Sequence, residues 1–500
     1  MLGGAGLAVA ALMLLTAAPV SAAPVGSWPG IVIGQTVDQV VPFTASTVET
    51  AGYGTPLTIT PAGQVPSYVN YTPDGGTAYI SDPSAAGGVH VVDAAATTVQ
   101  AEIPAGSYTY DIAISPNGAR AYTPRFFNDV LVEIDTASNT VARSIPVGAL
   151  PYSVAVTPDG AHAYVTNNGD NTVSVIDTAT GTVATTIPVG AGPFGTAAGT
   201  DGAFVYTADG ASNTVTVIAT ATNTVAATIP VSAAPRSLAT DPAGAFLLVG
   251  STSGNVVDVI DTASNAVITQ VPVGANPQDI AFTPDGATAY VTSFAGFVTP
   301  IDTTTWTARP AIAGPTTAFG IAIAPDQAPT AVLAPPASVA LGSASTFDGS
   351  GSTSPVGDIA SYAWDFGDGT TTSTTTPTTT HTYATVGSYS VTLTVTNTAG
   401  TSTTIVYTGQ SVARNGGPTA ATTATAAVTP AAPAPAPTPP PGTAATILLA
   451  DTGSPAPGWG GLAAIALVVA GGLLVAVQRR RATSGIAEAP SAAIRPRRCG

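Results

Sequence analysis

Few residues in this chain could do chemistry, and most of them stand where turns need them. There are three histidines, His90, His162 and His381, and one cysteine, Cys499. That count argues against a His-rich metal centre. It excludes an intrachain disulfide, a c-type haem site, a Cys-based zinc site and a Cys nucleophile in the main body. The acids fall into two recurring classes. Asp74, Asp159, Asp201, Asp285 and Asp326 sit in turns of the type Pro-Asp-Gly, while Asp93, Asp135, Asp177, Asp261 and Asp302 end strand-like runs before a Thr or Ala. Asp in such places bonds nearby backbone, so all ten are expected to be structural. His90 occupies a position held elsewhere by Val132, Ser174, Thr216, Asp258 and Thr299, and is expected to be solvated.

Two departures carry more information. Glu133 stands where comparable segments have Val91, Val175, Val217 and Val259. A carboxylate there is either exposed by a local distortion or placed near a channel. Arg125-Phe126-Phe127 replaces the polar turn written Asn167-Asn168-Gly169 in the following segment, and Phe294 and Phe297 fall in an equivalent turn. Arg and aromatic residues anchor interfaces, so these five form a candidate contact face, with local loop packing as the alternative.

The elements that position these residues repeat. The third residues of the turn markers are 75, 118, 160, 202, 244, 286 and 327, steps of 41 to 43. Runs such as Ala163-Tyr164-Val165-Thr166-Asn167, Thr172 to Thr178 and Thr182 to Val189 are β-branched and separated by Gly or Asn. A period near 42 filled with short strands predicts a β-propeller, here seven-bladed, over residues 31–327. Ile31-Val32-Ile33 opens a degenerate first unit, and the ring is expected to close without borrowing a strand. The Tyr-Val-Thr-Asn and Val-Ile-Asp-Thr pieces resemble the YVTN family of bacterial and archaeal surface propellers. That resemblance implies a propeller fold and leaves its ligand open.

Residues 328–408 change character. Trp364-Asp365-Phe366-Gly367-Asp368-Gly369 precedes His381-Thr382-Tyr383 and an alternating strand around Val391, Leu393 and Val395. The alternation lets Trp364 and Phe366 enter a core while Asp365 stays outside. This resembles the PKD (polycystic-kidney-disease) domain, an Ig-like β-sandwich that serves as a spacer or binds proteins or polysaccharides. Some members bind calcium. Asp348, Asp365 and Asp368 are weak candidate ligands here, with turn-capping as the preferred role.

Both ends read as addresses. Residues 1–22 have the apolar run and small residues of a signal peptide, with cleavage expected between Ala22 and Ala23. No positive charge precedes the apolar run, so the true start is expected upstream of Met1. Residues 409–448 form a Thr/Ala/Pro-rich stalk; a Pro-rich stretch of this kind extends about 3 Å per residue. Leu449-Ala450-Asp451-Thr452-Gly453 then precedes an apolar stretch, 459–477, long enough for a transmembrane helix, and a basic cytoplasmic tail, 478–500, opening on three Arg. The order resembles the sorting signal read by sortases, in the Leu-Ala-x-Thr-Gly variant. The resemblance implies cleavage after Thr452 and attachment to cell-wall peptidoglycan. The alternative is a single-pass membrane protein with an extracellular body.

Between the two apolar ends, from Ala23 to Thr452, 27 acids stand against 6 Arg, a net charge of −21, and the chain has no Lys. That is the opposite of a nucleic-acid binder's basic face. The expected function is a non-enzymatic cell-surface binding, adhesion or surface-layer protein with no cofactor, whose partner is a surface protein or polysaccharide. The rival readings are a lactonase- or lyase-like enzyme using the propeller channel, and a plain membrane-anchored envelope scaffold.

Overall fold

A computed structural model describes residues 27–35, 39–46, 53–59, 64–325, 329–334, 339, 341–354, 358–397 and 424–428. The leader with Ala22 and Ala23, the sorting motif at 449–453, the apolar stretch 459–477 and the tail lie outside them. Among the described residues the fold is all-β, and no helix is long and apolar enough to cross a membrane.

Between Ser27 and Ile323 the described strands form seven sheets. The sheet after the second full marker shows the plan. Its strands are Pro151–Val156, His162–Asn167, Thr172–Asp177 and Thr182–Pro188, joined antiparallel in chain order. The strand preceding each marker lies at the inner edge, and each inner strand packs on the next in a closed cycle. The three inner strands of a sheet are buried almost throughout because both faces meet a neighbouring sheet. The outermost, such as Thr182–Pro188, is mostly exposed. The β-branched runs suit that two-sided burial.

The turns explain the small residues. Asp159 accepts hydrogen bonds from Thr157 Oγ1 (2.6 Å) and the Ala161 amide (2.9 Å), closing the marker turn. Asp74 and Asp285 do the same in their own turns, and Asp201, with Gly199 in place of the Thr, accepts the Ala203 amide alone. Asp93, Asp135, Asp177, Asp261 and Asp302 cap the outer hairpins through Thr or Ser amides and hydroxyls. Asn171, Asn213 and Asn255 take left-handed backbone and accept an amide 21 residues on, at Gly192, Ala234 and Asn276.

The first sheet corrects the expected closure. Its inner strand is Ala318–Ile323, paired with Ser27–Gly34, followed by Gln39–Ser46 and Leu57–Thr58. Every other sheet takes its inner strand from just before its own marker. Residues 27–58 have none, because Val69–Tyr71 already serves the second sheet, so the strand is supplied from the far end of the repeat region.

The second domain has the strand pair Ala344–Asp348 with Thr378–Thr382, and a sheet of Thr371–Thr374, Ile359–Asp365, Tyr389–Asn397 and Ala424–Val428. Trp364, Phe366, Tyr383, Val391, Leu393 and Val395 are buried together with Phe347, while Asp365 is exposed. The alternation around Asp365 thus builds the core as expected. Ala424–Val428, inside the segment read as stalk, pairs with Tyr389–Asn397.

Candidate functional site

The inner strands place two columns of equivalent residues at the centre of the ring, beside one cavity. The first column is Tyr68, Tyr110, Tyr152, Phe194, Arg236, Gln278 and Phe319. Hydroxyls on the second strand of one sheet hold the backbone of the next: Ser81 donates to the Tyr110 carbonyl, Thr166 to Phe194 (2.7 Å) and Thr292 to Phe319. The result is a collar of rings. Tyr152 is its hub, with ring centroids 5.0 Å from Tyr110, 5.1 Å from Phe194 and 6.1 Å from Phe126. Tyr68 Oη and Tyr152 Oη meet at 3.3 Å.

Arg236 is the one cation in that collar. Its guanidinium lies 5.4 Å from the ring centroids of Tyr152, Phe194 and Phe319, and one terminal nitrogen donates to Tyr152 Oη. No carboxylate of the described residues comes within 4.0 Å of it, and its Nε is buried without an acceptor. Three ring faces offset on the order of 0.5–2 kcal/mol each. Removing the charge from water costs several kcal/mol. The rings alone therefore leave part of that cost standing.

The second column is Val69, Asp111, Ser153, Gly195, Ser237, Asp279 and Gly320, and it latches the inner strands together. Asp111 accepts from Ser153 Oγ (2.5 Å) and the Val154 amide (3.1 Å) of the next sheet; Ser153 Oγ accepts in turn from the Thr196 amide (3.1 Å). Asp279 accepts from its neighbour Ile280 (2.9 Å) and from the Ile321 amide (3.0 Å) of the closing strand. Burial pushes the Asp279 carboxyl up to about 7, against the pull of the Ile321 and Ile280 amides and with help from the Asp111 charge. Gly195 and Gly320 are required by close approach: a Cβ would collide with the Arg236 carbonyl in one case and the Ser67 carbonyl in the other. The cavity inside these columns holds about 60 Å³, room for a few waters.

The expected contact residues divide. Phe126 is half-buried against Tyr110 (5.3 Å) and Tyr152, continuing the collar outward, while Phe127 is 59% exposed and edges onto Tyr108 at 4.8 Å. Arg125 is folded back onto its own loop, its Nε donating to the Ser107 carbonyl (3.3 Å). Phe294 and Phe297 are exposed, at 39% and 42%. The amides of Phe126 and Phe294 make the same bond, to the carbonyls of Tyr108 and Asn276, so the two turns are equivalent. No ring contact joins Phe294 or Phe297 to Phe126 or Phe127 among the described residues. The five residues are spread over equivalent turns rather than gathered in one cluster.

Two expectations on buried groups are overturned. His90 is not solvated: it is 3% exposed, its Nε2 3.1 Å from Asp82 Oδ2, with Glu102 3.7 Å from Nδ1 on the other side. The two acids flank the ring rather than converge, an arrangement that orients the imidazole. Glu133 is neither exposed nor at the channel. It is 1% exposed, between Arg143 Nε at 2.7 Å and Arg120 Nε at 3.0 Å, and Arg120 also reaches Asp135.

In the second domain, Asp348 accepts from the Ser350 amide (2.8 Å) and Asp365 from Gly367 (2.9 Å). Asp368 accepts from Thr370 (3.0 Å) and pairs with His381 Nε2 (2.8 Å). All three candidate calcium ligands thus serve their own turns. No group of three or more metal-ligating side chains occurs among the described residues.

The column of inner-strand residues was the feature missed from sequence. Its signal is a position eight residues before each marker's third residue, seven before the first, that is aromatic in five of seven repeats.

Comparison with known proteins agrees with this architecture. Residues 105–289 match the family model of a YNCE-like β-propeller, and residues 326–410 match that of a PKD domain. A search of curated proteins finds no match. Among solved structures, the chain is similar to a functionally unknown protein from Desulfotomaculum acetoxidans DSM 771. The identity is 17%, the TM-score 0.52, and the match covers 59% of this chain and 98% of that one. It is also similar to Kuenenia stuttgartiensis hydrazine synthase, at 20% identity and a TM-score of 0.38, over 50% of this chain and 99% of that one. Sequence repeat, sheet plan and family models agree on a β-propeller region similar to the YNCE-like propellers, followed by a segment similar to a PKD domain.

Proposed function

We propose that this is a non-enzymatic bacterial cell-surface protein. A seven-bladed propeller and a PKD module are displayed outside the cell and dock a surface protein or polysaccharide through the propeller face that carries Phe127, Phe294 and Phe297. A propeller joined to a PKD domain fits an extracellular or surface-exposed protein. The observation that carries the docking face is the exposure of three phenylalanines: Phe127 and Phe294 in turns where a sister repeat places Gly169 and Asn168, and Phe297 at the start of the strand that follows. Exposed rings of this kind cost solubility unless a partner covers them. The small central cavity supports a non-enzymatic reading, since about 60 Å³ does not admit a lactone or sugar ring together with attacking groups.

Sortase-type attachment through Thr452 completes the proposal. The Leu449-to-Gly453 motif, the apolar stretch and the Arg stop follow one another in the order such processing needs. The test of docking is binding of the purified full chain to cell envelopes, compared with a Phe127→Ser, Phe294→Ser, Phe297→Ser variant of equal melting temperature. Envelope binding that is unchanged in the variant rejects the face. Attachment is tested separately. Thr452→Ala should move the protein from the wall fraction to the detergent-soluble membrane fraction, and wild-type protein that is already fully detergent-soluble rejects it.

A further inference from the structure

A half-buried cation with a buried, unpaired Nε lines the central cavity. Arg236 is held by three ring faces and by the hydroxyls of Tyr152 and Tyr68, and its Nε has no acceptor. The guanidinium lines the cavity with Tyr68, Tyr152 and Thr196. Such a fork presents parallel N–H donors that match the two oxygens of a carboxylate. The hydroxyls of Tyr68 and Tyr152, linked at 3.3 Å, leave one O–H free as a further donor on the same side.

We infer that the propeller's central cavity is a binding site for a single carboxylate group, seated on Arg236 and the Tyr68–Tyr152 hydroxyl pair inside the aromatic collar. The volume sets the size: about 60 Å³ takes a carboxylate and a water, not a whole sugar ring. The charge balance sets the class. Asp111 and Asp279 line the same cavity, so one guanidinium cannot also hold a dianion such as phosphate. Tyr110 and Phe194 back Tyr152, and Phe319 backs Arg236 and Tyr68, so the collar that carries the seat is apolar and suits an apolar or ring-bearing stem behind the carboxylate. Acidic sugars and peptide C-termini both offer this chemistry. The site stands independently of the proposed docking face, which uses residues on the outer turns.

The test is thermal unfolding of the purified full chain at constant ionic strength and pH, titrated with sodium acetate against sodium chloride. Acetate should raise the melting temperature by a few degrees and saturate in the millimolar range, while phosphate should have no more effect than chloride. Arg236→Met, close in length and without charge, should weaken the acetate effect at least ten-fold. Tyr152→Phe should keep the cation and lose only part of the effect. Glucuronate and N-acetylalanine then separate the two sources by which binds more tightly. The inference is overturned if acetate and chloride are indistinguishable on the wild type, or if phosphate matches acetate. It is equally overturned if Arg236→Met responds to acetate as the wild type does. The wild-type titration decides by itself if Arg236→Met does not fold.

Discussion

Glu133 and Arg143 face each other directly in register on adjacent strands, their Oε2 and Nε 2.7 Å apart, at the site where the next three sheets pair Val175 with Thr185, Val217 with Ala227 and Val259 with Thr269. The charge pair is therefore a paired substitution in an otherwise apolar repeat position. It also crosses between sheets. Arg143 donates to the Thr180 carbonyl (2.8 Å) in the next sheet's outer hairpin, and Gly181 leaves it room where other repeats have Asn139, Asn223 and Asn265.

Breaking this pair on one side should cost far more than removing it. Arg143→Ala leaves a buried carboxylate with Arg120 alone, a loss of about 2–4 kcal/mol after allowing for the partial exposure of Arg143. Glu133→Val with Arg143→Thr, the pair used by the next sheet, should recover most of that loss. Urea unfolding of the two variants checks it, and a double variant no more stable than the single one refutes it.

Phe126 and Phe127 should separate cleanly. Phe126→Ser removes a ring packed on Tyr110 and Tyr152 and should cost about 1–3 kcal/mol. Phe127→Ser touches an exposed ring and should stay within about 0.5 kcal/mol of wild type. Equal melting temperatures for the two variants would contradict the packing described here.

Asp279 should make stability fall as pH rises. Its folded carboxyl holds a proton up to about pH 7, against 3.8 ordinarily. Between those values the folded state binds more protons than the unfolded one, so each step up in pH favours unfolding. The extra stability is present below about pH 4 and gone above about 7. Melting temperatures of wild type and Asp279→Asn from pH 4 to 8 test this: the variant should show the shallower decline. Parallel curves would place the proton elsewhere.

Gly320→Ala should damage ring closure specifically. The added methyl meets the Ser67 carbonyl, a backbone atom with no rotamer to give way. A loss of about 1–3 kcal/mol is expected from overpacking, with hydrogen exchange speeding most in Ala318–Ile323 and Val69–Tyr71. Exchange that rises evenly over all sheets would show that the closing contact is not special.

What the sequence made legible was local. Turn markers, β-branched runs and the Trp364–Phe366 alternation report on neighbours a few residues apart, and each led to the element observed. Groups whose partners lie on another strand or turn were misread. His90 looked solvated because Asp82 belongs to the preceding turn, and Glu133 was read as exposed or near a channel because Arg120 and Arg143 come from flanking strands. The collar was hidden for the same reason at longer range. Tyr68, Tyr152 and Arg236 are 84 residues apart pairwise in sequence order, and no local window contains two of them. Only a column aligned on the markers brings them together.

The first sheet has a consequence in time. Strand Ser27–Gly34 is made early, yet its inner partner, Ala318–Ile323, is made nearly three hundred residues later. Until that strand emerges, a growing chain carries an open edge on its earliest hairpin, a template for wrong pairing. Completion of the ring is thus a single late event that seals this edge and packs the new strand on Val69–Tyr71, and the collar, the cavity and the seat for Arg236 come into existence only at that moment.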